Sequence, residues 1–303
     1  MRGSRLRVVV AWGGERVIPA LLRGLCDDAA LFPPGNAPLP AALAAHARYR
    51  DSEFAALVGP LIFPVPRLAE LADRSPGSLT VVFTAPAGPG TVVPALAQAA
   101  AIDGLIVTGV EIAVPAQVSV VEFFATLESI TGRTSGLEVY VEVPRDERRA
   151  AVLERLAGSP YAAKFRTGGM VAAAYPDERE LAVALRSAVA AGVPFKATAG
   201  LHHAVRNTDP TTGFEQHGFL NLLLATHLAL AGADTGALEA VLATRNGAGV
   251  AAELAALSEA EEKAVRGAFR SFGTCSISDP LTELVDLNLL PAALRPVSER
   301  SAS

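Results

Sequence analysis

The 303 residues contain three lysines, Lys164, Lys196 and Lys263, and two of them fall inside runs that read as buried β-strands. "YAAKFRTGG" (161–169) and "VPFKATAGL" (193–201) each carry one, and each lysine precedes a turn glycine, Gly168 or Gly200, by four positions. Period-two alternation puts Lys164 with Arg166 on one face, and Lys196 with Thr198 on one face. Two acids also stand near strand ends: Glu111, four residues before Pro115, and Glu142, two before Pro144. If these faces share one interior, two amines, a guanidinium and at least one carboxylate converge there. Charges seldom enter such a space unpaired, because desolvating each costs several kcal/mol.

Two accounts follow from that convergence. In the first, Lys164 and Glu142 form a structural ion pair across neighbouring strands. In the second, the site is reactive. A lysine titrates near ~10.4 in water and is a poor nucleophile until burial or a second positive charge lowers that value. Two lysines on adjacent strands supply such an arrangement, and the activated amine would form a Schiff base with a carbonyl compound. Either lysine could be the nucleophile. Glu142, His202 or His203 would move protons, since histidine titrates near working pH.

Three of the five histidines lie within "LHHAVRNTDPTTGFEQHGFLN": His202, His203 and His217. With Glu111, Glu142 or Asp209 they offer an alternative, a bound divalent metal ion that polarises a carbonyl or activates water. His217 and Asn221 flank Gly218 at a helix start, where free N–H groups suit an anion; simple capping is the plainer reading. In "CDDAALFPPGN" (26–36), Asp27 and Asp28 are metal ligands or partners of Arg166, and "FPPGN" is a rigid turn. Cys275 reads as a buried, inert thiol. The substrate contacts expected are Arg166, Thr167, Gly168, Thr198, Glu111, Asp28, His217 and Asn221.

These residues need elements to hold them. Six apolar, β-branched runs (57–66, 78–86, 104–115, 137–144, 161–169 and 193–201) fit strands covered on both faces of a parallel sheet. Alanine- and leucine-rich helical segments separate them, one starting at Pro176-Asp177 and stopping at Gly192. The alternation implies right-handed βαβ units. The expected fold is α/β: a (β/α)8 TIM-like barrel with an N-terminal capping segment and a helical insertion near the C-terminus; an open doubly wound sheet is the runner-up. Closure needs two more strands, "LRVVVAW" (6–12), which could also be a leader, and "RSFGTCSI" (270–277). The expected division is an N-terminal arm or cap over 1–56, the barrel over 57–290 with an insertion about 212–268, and a tail over 291–303.

Half of the chain is hydrophobic, which excludes a disordered polypeptide. A net charge of −5 with no basic run argues against nucleic acid as a partner. No apolar run is long enough to span a bilayer. Two distant cysteines suggest a reducing cytoplasm. Formation of a homo-oligomer is left open.

The pair "KFRTGG" and "FKATAGL" resembles the lysine-bearing strands of the deoxyribose-phosphate aldolase family of class I aldolases. That resemblance implies Lys164 as the Schiff-base nucleophile and Lys196 as the group tuning its pKa, on the sixth and seventh strands. It covers some forty residues. The family's second turn is a Gly-Gly that approaches a phosphate, whereas this chain has Ala199-Gly200-Leu201-His202-His203, so Arg166 would clamp a carboxylate or other anion instead. The whole chain is also similar to a set of actinobacterial proteins sharing "DDAALFPPGN", "KFRTGG" and "FKATAGLHH", which names no activity. The expectation is therefore a lyase of the aldolase type on a small anionic carbonyl substrate, without a cofactor. The alternatives are a metal-dependent lyase or hydrolase and a non-catalytic small-molecule binding protein.

Overall fold

The computed structural model describes residues 18–72 and 77–296. Eight parallel strands close into a barrel: β1 (Cys26–Asp28), β2 (Val58–Pro64), β3 (Leu79–Ala85), β4 (Leu105–Ala113), β5 (Glu138–Glu142), β6 (Ala162–Arg166), β7 (Phe195–Thr198) and, after an antiparallel pair β8 (Asn207–Thr208) and β9 (Glu215–Gln216), β10 (Phe269–Thr274). The TIM-like (β/α)8 architecture expected from the strand–helix alternation is the one observed. The closing strand is β10, which pairs with β7 on one side and β1 on the other.

Helices α1 (Leu39–Arg50), α2 (Ala69–Ala72), α3 (Val92–Ala99), α4 (Val120–Ser129), α5 (Arg149–Leu156) and α6 (Glu178–Ala190) follow strands β1 to β6 in turn. Their boundaries obey local chemistry. Ser119 caps α4 by accepting from Glu122 N, and Asp177 caps α6 by accepting from Glu180 N. Between β9 and β10 stand four helices, α7 (Phe219–Leu230), α8 (Thr235–Ala243), α9 (Gly247–Ala255) and α10 (Glu259–Ala268). They supply the helical segment expected near the C-terminus and occupy 219–268. A last helix, α11 (Ser278–Asp286), follows β10.

The apolar core fills the space between barrel and helices, as in Phe272 of β10 stacked on Phe219 of α7 at 4.8 Å. Each such side chain, when fully buried, contributes about 1.5–3 kcal/mol. The barrel's own interior is different: Asp27, Glu111, Lys164, Lys196 and Ser271 are all buried there.

One strand expectation is corrected. The first strand is Cys26–Asp28, inside the segment taken as an arm, and the run 6–12 lies outside the described residues. Lys164 and Lys196 do occupy the sixth and seventh strands. No helix among the described residues is long and apolar enough to cross a membrane.

Candidate functional site

Parallel register sets the site. Glu142 of β5 lies beside Lys164 of β6, which lies beside Lys196 of β7, so all three project from adjacent rungs into the barrel. Glu111 of β4 reaches between the amines. One of its oxygens is 2.6 Å from Lys164 Nζ and the other 2.6 Å from Lys196 Nζ. Lys164 also contacts Glu142 at 3.0 Å, and Lys196 contacts Asp27 of β1 at 2.5 Å. Ser271 Oγ donates to Asp27 at 2.6 Å, and Lys196 Nζ lies 5.1 Å from the centre of the Tyr140 ring. The result is an alternating ladder, Glu142–Lys164–Glu111–Lys196–Asp27. Arg166, 3.9 Å from Glu142, makes three cations against three carboxylates.

A glycine makes room for the ladder's lower end. A Cβ on Gly59 of β2 would sit 2.2 Å from Asp27 Oδ1, so only a residue without a side chain lets that carboxylate lie there.

This geometry overturns the Schiff-base expectation. The amines do not face each other across empty space; a carboxylate bridges them. Burial works against the charge on Lys164, but Glu111 and Glu142 outweigh it and its pKa is raised. Burial opposes Lys196 too, and Asp27 and Glu111 raise it well above the ordinary lysine range. An amine held as ammonium is no nucleophile. Glu111, despite burial, is drawn down to about 2 by Lys164 and Lys196. Glu142 is lowered chiefly by Lys164. The structural ion pair between Lys164 and Glu142 is present, and it is one rung of a longer array.

The ladder's upper end opens into a cavity of about 560 Å³ at the carboxyl-terminal ends of the strands, where barrels of this kind carry their reactive groups. Glu111, Glu142, Lys164, Arg166, Thr198 and His202 line it. Lys196 does not; it stands one layer deeper. The apolar wall includes Phe32, Ile62 and Met170. The β8–β9 hairpin contributes Phe214, whose ring meets Tyr175 at 5.6 Å, together with Asp209 and Gln216.

Several expected contacts lie elsewhere. Asp28 faces away from the barrel interior and holds His46 Nδ1 at 3.0 Å, because its neighbour Asp27 takes the inward position. Neither aspartate pairs with Arg166. Thr167 Oγ1 donates to the carbonyls of Thr198 (3.1 Å) and Ala199 (2.6 Å), tying the two lysine-bearing loops together. Gly168 is a packing residue: a Cβ there would be 2.9 Å from Gly200 Cα and 2.8 Å from the Tyr175 ring. Asn221 is a buried clamp, donating to Val241 O at 2.7 Å and Thr244 O at 2.9 Å and accepting from Arg206 N. His217 is buried, donating through Nε2 to Pro176 O at 2.8 Å and accepting from Arg206, and burial draws its pKa down to about 4.

His203 leaves the cavity and binds Glu283 of α11 at 2.6 Å, a contact that raises its pKa. His202, lowered by burial and then by His203, lies 3.5 Å from Cys275 Sγ on the cavity wall. Burial pushes the Cys275 thiol up, so this pair is a neutral thiol beside a neutral imidazole. With its three histidines dispersed, the metal alternative is corrected as well. Among the described residues no group of three or more His, Cys, Asp or Glu side chains could hold a metal ion.

The sequence singled out neither Tyr175, Phe214 nor Ser271. A cue existed for Ser271, which shares the period-two parity of Gly273 in the last strand run. None existed for the other two, which enter from loops.

No protein-family model matches the chain, and no curated protein does. Among solved structures, an aldo-keto reductase complexed with NADPH superposes with a TM-score of 0.44 and 12% identity, over 84% of this chain and 76% of that one. It is a reductase, not an aldolase, and a likeness of that degree leaves the chemistry to this chain's own residues. The expected absence of a cofactor is corrected together with the lyase from which it came. The cavity, at about 560 Å³, has more volume than a small carbonyl compound fills.

Proposed function

We propose that the chain is an enzyme that binds a small molecule with an anionic group at the carboxyl-terminal mouth of its barrel and moves a proton on it. One observation carries this reading. An ammonium has three donors, Lys164 gives two to Glu111 and Glu142, and among the described residues none accepts the third, while Lys164 lines the cavity. A substrate carbonyl oxygen completes that set. Glu142, ionised by its neighbours, then takes a proton from the carbon beside the carbonyl. The C–H bond breaks, its electron pair moves into the carbon skeleton, and the oxygen becomes an enolate held by the Lys164 N–H. As the ammonium turns toward the substrate oxygen, its hold on Glu142 loosens and the carboxylate becomes a stronger base.

Arg166, with a side chain 47% exposed at the rim, suits a carboxylate or phosphate on the same substrate. Its Nε donates to Gly168 O at 3.1 Å and its Nη1 lies 3.9 Å from Glu142, which leaves Nη2 for an anion. The two unpaired cysteines fit a cytoplasmic, reducing setting.

The test is hydrogen–deuterium exchange at carbon, followed by NMR in D₂O with a panel of small keto acids and keto phosphates. The protein is expected to wash out the hydrogen beside the carbonyl of at least one compound. Glu142→Gln and Lys164→Met should each slow that exchange by about 10²–10⁴-fold. No exchange with any compound, or exchange indifferent to Glu142→Gln, sinks the proposal.

A further inference from the structure

The barrel has a second opening. At the amino-terminal ends of its strands lies a cavity of about 270 Å³, lined by Thr108, Glu138, Tyr140, Ser271, Arg266 and Arg270, with the lower ladder at its back. Arg266 is half-buried, and its donors go to neutral carbonyls: Nη1 to Phe269 O at 2.9 Å and Nη2 to Arg23 O at 3.0 Å. Among the described residues, no carboxylate lies within ion-pair distance of Arg266 or Arg270. The nearby acids are already engaged. Asp27 is taken by Lys196 and Ser271, and Glu138 accepts the Tyr140 hydroxyl at 2.6 Å.

The buried cations are treated differently: Lys164, Lys196 and Arg206 each lie on carboxylates. Burial, and then the charge of Arg270, draw the Arg266 pKa down to about 10 even against Asp27. The two guanidinium groups thus share the cavity with Lys196, Asp27 and Glu138, and neither has a carboxylate of the described residues within ion-pair distance.

We propose that this amino-terminal cavity is a binding site for a phosphate-class dianion, held by Arg266 and Arg270. Lys196, Arg266 and Arg270 outnumber Asp27 and Glu138 in the lining, so the cavity favours an anion, and the planar guanidinium forks fit phosphate oxygens. The site is independent of the carboxyl-terminal mouth and of the reaction proposed there.

The experiment is a thermal-shift titration of the whole chain with potassium phosphate against potassium chloride at matched ionic strength, confirmed by calorimetry. Phosphate should stabilise saturably and chloride should not. Arg270→Ala, at an exposed position, should keep the anion-free melting temperature and weaken phosphate binding by at least tenfold. Arg166→Ala should leave it unchanged. A parallel titration with glycerol 3-phosphate separates the sources: tighter binding than phosphate indicates an organic phosphomonoester, and equal binding indicates free phosphate. An equal response to chloride, or a response lost in Arg166→Ala and kept in Arg270→Ala, overturns the proposal.

Discussion

A single alternation decides which aspartate belongs to the buried ladder. Asp27 and Asp28 are adjacent on a strand, so one must point inward and the other outward. Asp27 enters the ladder and Asp28 grips His46. That parity was not legible beforehand, since a three-residue strand is too short to display a period. The lysines were legible because each sits within a long apolar run where a charge stands out. What their spacing could not reveal was the carboxylate between them, because Glu111 is more than fifty residues away in the chain. The ladder makes each rung depend on its neighbours. Lys196→Met should therefore lower stability by about 3–5 kcal/mol, since it strands Asp27 as a buried, unpaired charge. Adding Asp27→Asn should restore part of the loss, and urea unfolding of the four proteins in the cycle measures the coupling.

Among the elements, the six long strands were visible as apolar runs, whereas β1 and α9 were not. β1 is Cys-Asp-Asp, with no β-branched residue to mark it. α9 begins Gly-Ala-Gly, against helical propensity; the Asn246 cap and the burial of Val250 and Leu254 hold it instead. The β8–β9 hairpin is two residues deep on each side and could not be read as strand. Arg206 braces it, bonding Glu178 at the start of α6 at 2.7 Å and Glu215 on the hairpin at 3.2 Å. Arg206→Ala is expected to leave the barrel folded while amide exchange rises selectively across 207–216. Mass-spectrometric hydrogen exchange checks it, and uniform loss of protection would assign Arg206 to global stability instead.

For the molecule as a whole, acid sensitivity follows from which groups are held out of water. The folded-state pKa of His217, about 4, lies below the ordinary 6.5. Between those values the unfolded chain binds a proton there that the folded chain does not, so stability falls as pH falls. The slope is about 1.4 kcal/mol per pH unit within that window, and the contribution is fully lost below it. Glu111 acts later. Its stabilisation is complete above its ordinary 4.5 and disappears as pH drops toward about 2. Denaturant unfolding at pH 7, 6 and 5 should show the histidine's slope, and His217→Gln, which can keep both hydrogen bonds, should flatten it. An unchanged slope in that variant would assign the acid response to other groups.

The junction of β1 with β10 gives the barrel a latch. Asp27 from one end of the chain receives Ser271 from the other, and closes on Lys196 in between. Strands β4 to β7 can assemble with their two acids and two amines already matched, so the latch has nothing to fasten until β1 meets β10. Asp27→Asn should accordingly quicken unfolding while leaving the refolding rate nearly unchanged, as stopped-flow kinetics would record. The aspartate would then govern how long a finished molecule survives rather than how fast it is made.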